Sequence, residues 1–429
     1  GNDQHGVEII GNDDPSTNVL DTKVLGNLIG VNLNGTGSSD IGNTESGVFV
    51  SSASQVEIGG TVGTNPSGPC AGDCNVISDN GHHGVVISDF SSKFNKVQGN
   101  RIGTNINGSS AFDLGNAMNG VRILSATDTT VGGTTEEARN VLSGNTQSGV
   151  FISAGSNAAS NTVQGNFIGT DATGISDLGN GGSGVRVEAA GNFIGGTASG
   201  ARNVISGNVG AGILFNGSNT VNNLVEGNLI GTNATGTGNL ANLHGVRIAG
   251  AIDNTVGGTL DAAANTISGN TNQGVFVSSC TCATGNLILR NSIFDNGDAD
   301  PTNGEELGIE LGLLEDGPTP NDPKDPDTGI NKLQNFPVIT SATTTQIKGR
   351  LNSRPRKNFT IQFFSNSAAD PSGFGEGETF LGQKTVRTDR RGKVSFTFSS
   401  SLSAGQFVTA TATDSVGNTS EFSKALEVQ

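Results

Sequence analysis

A short block of Gly, Asn, an apolar or basic residue, Ile and Gly returns along this chain and limits what it can fold into more than any other feature. It reads "GNLIGVN" at 26, "GNRIGTN" at 99, "GNFIGTD" at 165 and "GNLIGTN" at 227. A second signature, Gly followed by an alternating apolar run, recurs at Gly6, Gly47, Gly84, Gly120, Gly149, Gly184, Gly212, Gly245, Gly274 and Gly308. Its steps are 41, 37, 36, 29, 35, 28, 33, 29 and 34, and from Gly84 onward long and short steps alternate. A fixed period of this size is the mark of a solenoid, whose units cannot bury an apolar face alone and do so on their neighbours. Gly and Asn at this frequency exclude long helices, because both lower helix propensity.

Each period holds three short strand candidates. From Gly149 they are "GVFI", "NTVQG" and "NFIGT"; from Gly184 they are "GVRV", "NFIGGT" and "NVISGN". Alternation points Val185 and Val187 inward and Arg186 outward. Gly and Asn at the segment ends are expected to supply corners with positive φ. The equivalent strands should stack in parallel, with Val121, Val150 and Val185 in one interior column, and parallel crossovers make the coil right-handed. Asn27, Asn100, Asn166 and Asn228 open the same strand in successive double turns, and Asn203 and Asn265 match them between. We read them as a hydrogen-bonded Asn stack, not a ligand site.

In this rhythm residues 1–311 resemble the right-handed parallel β-helix repeat proteins, the broad pectate-lyase-like group that includes many bacterial secreted and surface proteins. The fold so implied is all-β, with about ten turns and a length on the order of 50 Å at the usual strand spacing. Residues 312–336 concentrate Pro, Asp and Asn and are expected as an acidic linker. Residues 337–429 contain six or seven alternating strands, among them "FTIQFF" and "KVSFTFS", and resemble the Ig-like modules of bacterial surface proteins. The Phe residues gather there and are expected as its core.

Charge divides the same way. Residues 1–311 carry 10 basic and 27 acidic groups (−17), whereas 337–429 carry 11 and 7 (+4). An acidic surface of that extent repels phosphate, so nucleic acid is excluded as a partner. No apolar run is long enough to span a bilayer as a helix. The chain opens inside the repeat at "GNDQHGVEII", from which we expect a removed preceding segment or a neighbouring molecule over the open end.

Reactive side chains on this fold belong on the outer face of the first strand. Between its two inward positions stand Glu8, Phe49, Val86, Arg122, Phe151, Arg186, Leu214, Arg247, Phe276 and Glu310. A lyase on this fold would need Ca2+-binding acids beside a basic residue, and we expect no carboxylate beside these arginines. The plain reading is a repeat that carries Arg; the sharper one is a ridge of exposed Arg122, Arg186, Arg247, Phe49, Phe151 and Phe276 that docks another surface. Asp40, Asp113 and Asp177, with Asn239 in the equivalent place, read as turn residues; paired carboxylates of a glycosidase are the alternative. His5, His83 and His244 lie in turns too far apart to cooperate, and with His so scarce zinc is not expected.

Asp322, Asp325, Asp327 and Asn331 in "NDPKDPDTGIN" are similar to Ca2+ loops without the distal Glu; the plain reading is a solvated acidic linker. No cofactor is required, and Ca2+ is the one ion the sequence leaves room for. Cys70 and Cys74 are disulfide candidates in a surface loop, whereas a bridge between Cys280 and Cys282 would be strained, which leaves both the bridge and free thiols open there. Together these features lead us to expect a non-enzymatic extracellular or cell-surface structural protein in a layer, fibre or matrix. Its partner would be itself, or another surface protein or a glycan. Arg354, Arg356 and Lys357 ("SRPRKN") with Arg390, Arg391 and Lys393 ("DRRGK") would contact the acidic coil of the next subunit. The alternatives are a polysaccharide lyase or hydrolase on the coil's groove and a glycan-binding adhesin.

Overall fold

The computed structural model describes residues 1–12, 19–36, 41–111, 113–153, 159–297, 307–312 and 317–429. Two compact units divide the chain, one of Gly1–Leu214 with Asn222–Leu243 and one of Phe215–Val221 with His244–Gln429. Both contain coils of an all-β, right-handed parallel β-helix, and the second ends in antiparallel sheets.

In the first unit each coil supplies one strand to each of three parallel sheets. The coil from Gly149 contributes Val150–Ser153, Thr162–Gln164 and Phe167–Ile168, the three segments expected from alternation. Val121 pairs in register with Val150, and Val150 with Val185. All three are fully buried, as are Ile123, Ile152 and Val187 one step further along. The expected interior column is therefore continuous. A coil of this width holds little but aliphatic side chains, so each added coil buries one more layer of Val and Ile at about 25 cal/mol per Å² of apolar surface.

The glycines fall into two classes. Gly169, at the end of a third-sheet strand, has φ +89° and turns the corner as expected. Gly149, at the start of a first-sheet strand, does not have positive φ; there a Cβ would lie 2.6 Å from Ile168 Cγ2, so close packing excludes any side chain. Asn222 supplies positive φ, at +57°, but Asn27, Asn100, Asn166 and Asn228 do not, which corrects the expectation for them. Their side chains form the stack instead.

That stack is larger than the sequence reading. Asn27, Asn75, Asn100, Asn140, Asn166, Asn203 and Asn228 form one ladder, each backbone N–H donating to the Oδ1 of the next. A second runs through Asn2, Asn43, Asn80, Asn116, Asn145, Asn180, Asn208 and Asn242. A third links Asn161, Asn192 and Asn223. Every rung satisfies backbone groups that a tight corner hides from water.

The second unit continues the pattern locally, with Val246–Ala249, Val275–Ser278 and Ile309–Leu311 pairing in parallel. It then closes it. Two antiparallel sheets, one of Val338–Thr343, Gln346–Asn352 and Lys393–Ser399, the other of Thr379–Arg387, Asn358–Asn366, Phe407–Asp414 and Leu426–Glu427, share one core. Phe363 stacks on Phe398 and meets the edge of Phe396, so the Phe residues do form this core.

The stretch expected as a linker packs instead, over its described part 317–336. Ile330, Asn331, Gln334 and Asn335 are buried. Asn331 accepts from Asn286 N and donates to Asn286 O at 2.7 Å, so it ends an Asn ladder. Side chains of the antiparallel part finish the remaining strands. Glu376 accepts from Asn296 N, Glu421 from Leu311 N, Gln362 from Arg290 N, and Thr419 from Ile288 N. Unpaired strand edges invite association, and these polar caps remove the invitation.

Candidate functional site

In the first unit the outward row exists in the expected register: Glu8 beside Phe49, Phe49 beside Val86, Val86 beside Arg122, Arg122 beside Phe151 and Phe151 beside Arg186. Arg122 and Arg186 flank one ring, their guanidinium carbons 5.6 and 4.8 Å from the Phe151 centroid. Each such cation–π contact contributes about 0.5–1 kcal/mol where partly exposed. Arg186 also bonds Glu188, its Nε 3.0 Å from Oε1. A carboxylate beside these arginines was not expected. Period 2 puts residues 186 and 188 on the same face, and that was legible in "VRVE". In the second unit Arg247 lies 5.6 Å from the Phe276 centroid and His244 packs on the same ring.

The row is less exposed than expected. Val86 and Phe276 are buried, and Phe49, Arg122, Phe151, Arg186 and Arg247 are half-buried. Rings and guanidiniums cover one another, while Arg122 Nε is buried without a hydrogen-bond partner.

The histidines join this row one by one. His5 stacks on Phe49 with centroids 4.5 Å apart. His83 is buried; Asn119 N donates to its Nδ1 at 3.2 Å, and its Nε2 lies 3.4 Å from Arg122 Nη1. Burial, followed by the charges of Arg122 and His82, pulls its pKa down to about 4. The folded protein therefore holds this ring neutral while the unfolded chain protonates it near pH 6.5. Its contribution to stability is full above that pH and is lost as pH falls from about 6.5 towards 4, by roughly 1–2 kcal/mol after screening. Urea midpoints measured across this window should fall in the parent protein and fall less in His83→Gln.

The loop carboxylates serve turns. Asp177 pairs by backbone with Thr170, and Asn239 likewise with Thr232. Asp113 occupies a turn at φ +51°, and Asp40 lies outside the described residues. The residues that organise these loops are others: Asp171 Oδ1 accepts from Thr173, Ile175 and Ser176 N–H groups, and Asn32, Asn105 and Asn233 act in the same way. The last letter of each "GNxIGxN/D" block was the signal for them. Cys70 is bonded to Cys74, the expected bridge, and Cys280 to Cys282, where the sequence left bridge and free thiols open.

Two charged features stand out in the second unit. The expected basic turns, more than thirty residues apart in sequence, lie side by side. Arg356 N donates to Asp389 O, Thr388 N to Lys357 O, and Thr388 Oγ1 to Arg354 O at 2.6 Å. Arg356, Lys357, Arg390, Arg391 and Lys393 are exposed and Arg354 half-buried. Asp389 is the carboxylate of these turns; the N–H groups of Lys393 and Arg391 hold it below the usual carboxylate range.

The second feature is acidic. Asp322, Asp325 and Asp327 gather with carboxylate oxygens within 4.8 Å of one another. Asn331, expected beside them, is committed to the Asn ladder through Asn286. Burial pushes the Asp325 carboxyl up to about 6, against the lowering effect of its Ser353 hydrogen bond.

No family model and no curated protein sequence matches the chain. Among solved structures it is similar to a mutant tailspike protein of E. coli bacteriophage HK620 in complex with a pentasaccharide. The identity is 12%, the TM-score 0.20, and the match covers 90% of this chain and 71% of that one. A superposition of that quality assigns no chemistry to the present chain.

Proposed function

We propose that the protein is a structural subunit of an extracellular layer, fibre or matrix, and that copies associate when the basic turns of one meet the acidic coils of another. The observation that carries this reading is that the two turns bearing Arg354, Arg356, Lys357, Arg390, Arg391 and Lys393 adjoin, with all of these but Arg354 exposed. Residues 1–311 carry a net −17, so the complementary surface is present in the same chain. Opposite surfaces on one molecule make a heterologous contact, which propagates instead of closing. The two disulfides agree with an oxidising, extracellular setting. The Arg–Phe row agrees with a scaffold, since its charges pair with neighbours on the same sheet.

Sedimentation velocity tests the proposal. Association should appear at low ionic strength, weaken steeply as salt shortens the screening length to about 8 Å near 0.15 M, and drop at least tenfold in Arg356→Glu/Arg391→Glu. A parent protein that stays monomeric at high concentration and low salt would overturn it.

A further inference from the structure

We propose that Asp322, Asp325 and Asp327 bind one Ca2+ ion, which ties the segment around them to the turn at Ser353 and Arg354. Geometry comes first. Two oxygens bound to the same Ca2+ at 2.3–2.6 Å can be no more than about 4.6–5.2 Å apart, and the three carboxylates already fall within 4.8 Å of one another.

The second observation is independent of their clustering. Asp325 is only 1% exposed, and its Oδ1 is buried with no partner at hydrogen-bonding geometry, although the Asn335 N–H lies near enough to favour the charged carboxylate. Its Oδ2 is taken by Ser353 Oγ. Oδ1 of Asp327 is likewise buried without a partner at hydrogen-bonding geometry, and the Asp325 carboxyl and the backbone N–H of Asp327 are the groups that act on it from close by. Carboxylate oxygens facing each other away from water repel unless something positive lies between them. The charge of Arg354 acts on both carboxyls, but its Nε donates to the backbone carbonyl of Asp325 at 3.4 Å. The segment is otherwise well held. Asp322 N donates to Asn335 Oδ1 at 3.0 Å, Asn335 Nδ2 donates back to Asp322 O at 2.7 Å, and Lys324 N donates to Asn352 Oδ1. A framework this well bonded around two unpartnered oxygens leaves a place for an ion.

The donor set selects the ion by class. It is all oxygen and anionic, without His or Cys, which suits a hard cation and not zinc. Mg2+ demands near-ideal octahedral geometry at about 2.0–2.1 Å and keeps most of its water, whereas Ca2+ accepts a partly buried, irregular set.

Calorimetric titration of the full chain with CaCl2, after treatment with a chelator, tests this. The expected result is saturable one-to-one binding with Kd on the order of 10⁻⁴ M, as in extracellular modules, together with a melting temperature that rises with calcium and plateaus. Asp327→Asn leaves the Ser353 contact intact and should weaken binding at least tenfold; Asp325→Asn should abolish it, with circular dichroism confirming that both variants fold. Lack of saturable binding by the parent protein up to about 10 mM, a concentration well above that expected Kd, would overturn the proposal and leave a shared proton as the reason for the cluster. An Asp327→Asn variant that binds as tightly as the parent would overturn it equally.

Discussion

Replacing Asn166 by Asp should lower the unfolding free energy by about 3–5 kcal/mol, because it strips a buried ladder of its donor and inserts a charge. Asn166 Nδ2 donates to Val131 O at 2.9 Å and to Asn203 Oδ1 at 3.0 Å, while its Oδ1 accepts from Asn140 Nδ2 at 2.9 Å. Aspartate keeps the acceptor and loses these donations together with one to Gln164 O at 2.9 Å, so its second oxygen faces three others in a site fully shielded from water. The contrasting substitution is Asp171→Asn, five residues along. There the side chain acts only as an acceptor for a surface turn, and the amide oxygen can replace the carboxylate within about 0.5 kcal/mol. The chain has neither Trp nor Tyr, so both melts are followed by calorimetry or circular dichroism. Equal losses in the two variants would show that the ladder is not what holds the corner.

The second large effect concerns the closed end of the coil. A chain stopped at residue 311 should associate or precipitate under conditions where the whole chain stays dispersed. Stopping there removes Asn331, Glu376 and Glu421, the acceptors for Asn286, Asn296 and Leu311 N–H groups. It also bares Ile288, Ile293 and Leu311, all buried in the intact protein. Parallel strands ending in free N–H and C=O groups over apolar side chains are templates for another chain. Glu376→Ala/Glu421→Ala keeps the covering and removes two acceptors, so it should lose stability with much less association. Light scattering coupled to size exclusion separates the cases. A monomeric, cooperatively melting 1–311 fragment would mean that the coil needs no such closure.

How far the sequence could be read follows from the range of the interactions concerned. The Gly spacing and the period-2 alternation determined the coil, the three strands in each turn and the Val121–Val150–Val185 column, because inward or outward direction is a local property of a strand. The corner Asn of the "GNxIG" block was legible for the same reason. Asn75 and Asn140 in its ladder, and the other two ladders whole, were not. Their rungs lie 25 to 48 residues apart in sequence, and only stacking shows that each Oδ1 meets the next N–H. The Glu188 partner of Arg186 was local and readable; the covering of Phe276 was not, since it depends on side chains from neighbouring coils. The Pro- and Asp-rich composition of 312–336 belongs equally to a solvated linker and to a packed cap. Tertiary structure alone decided for the cap, by supplying Asn286, Ser353 and Thr419 as hydrogen-bond partners from elsewhere in the chain. Polar residues carry no record of which partners they will meet, whereas apolar ones at regular spacing already state which way they must face.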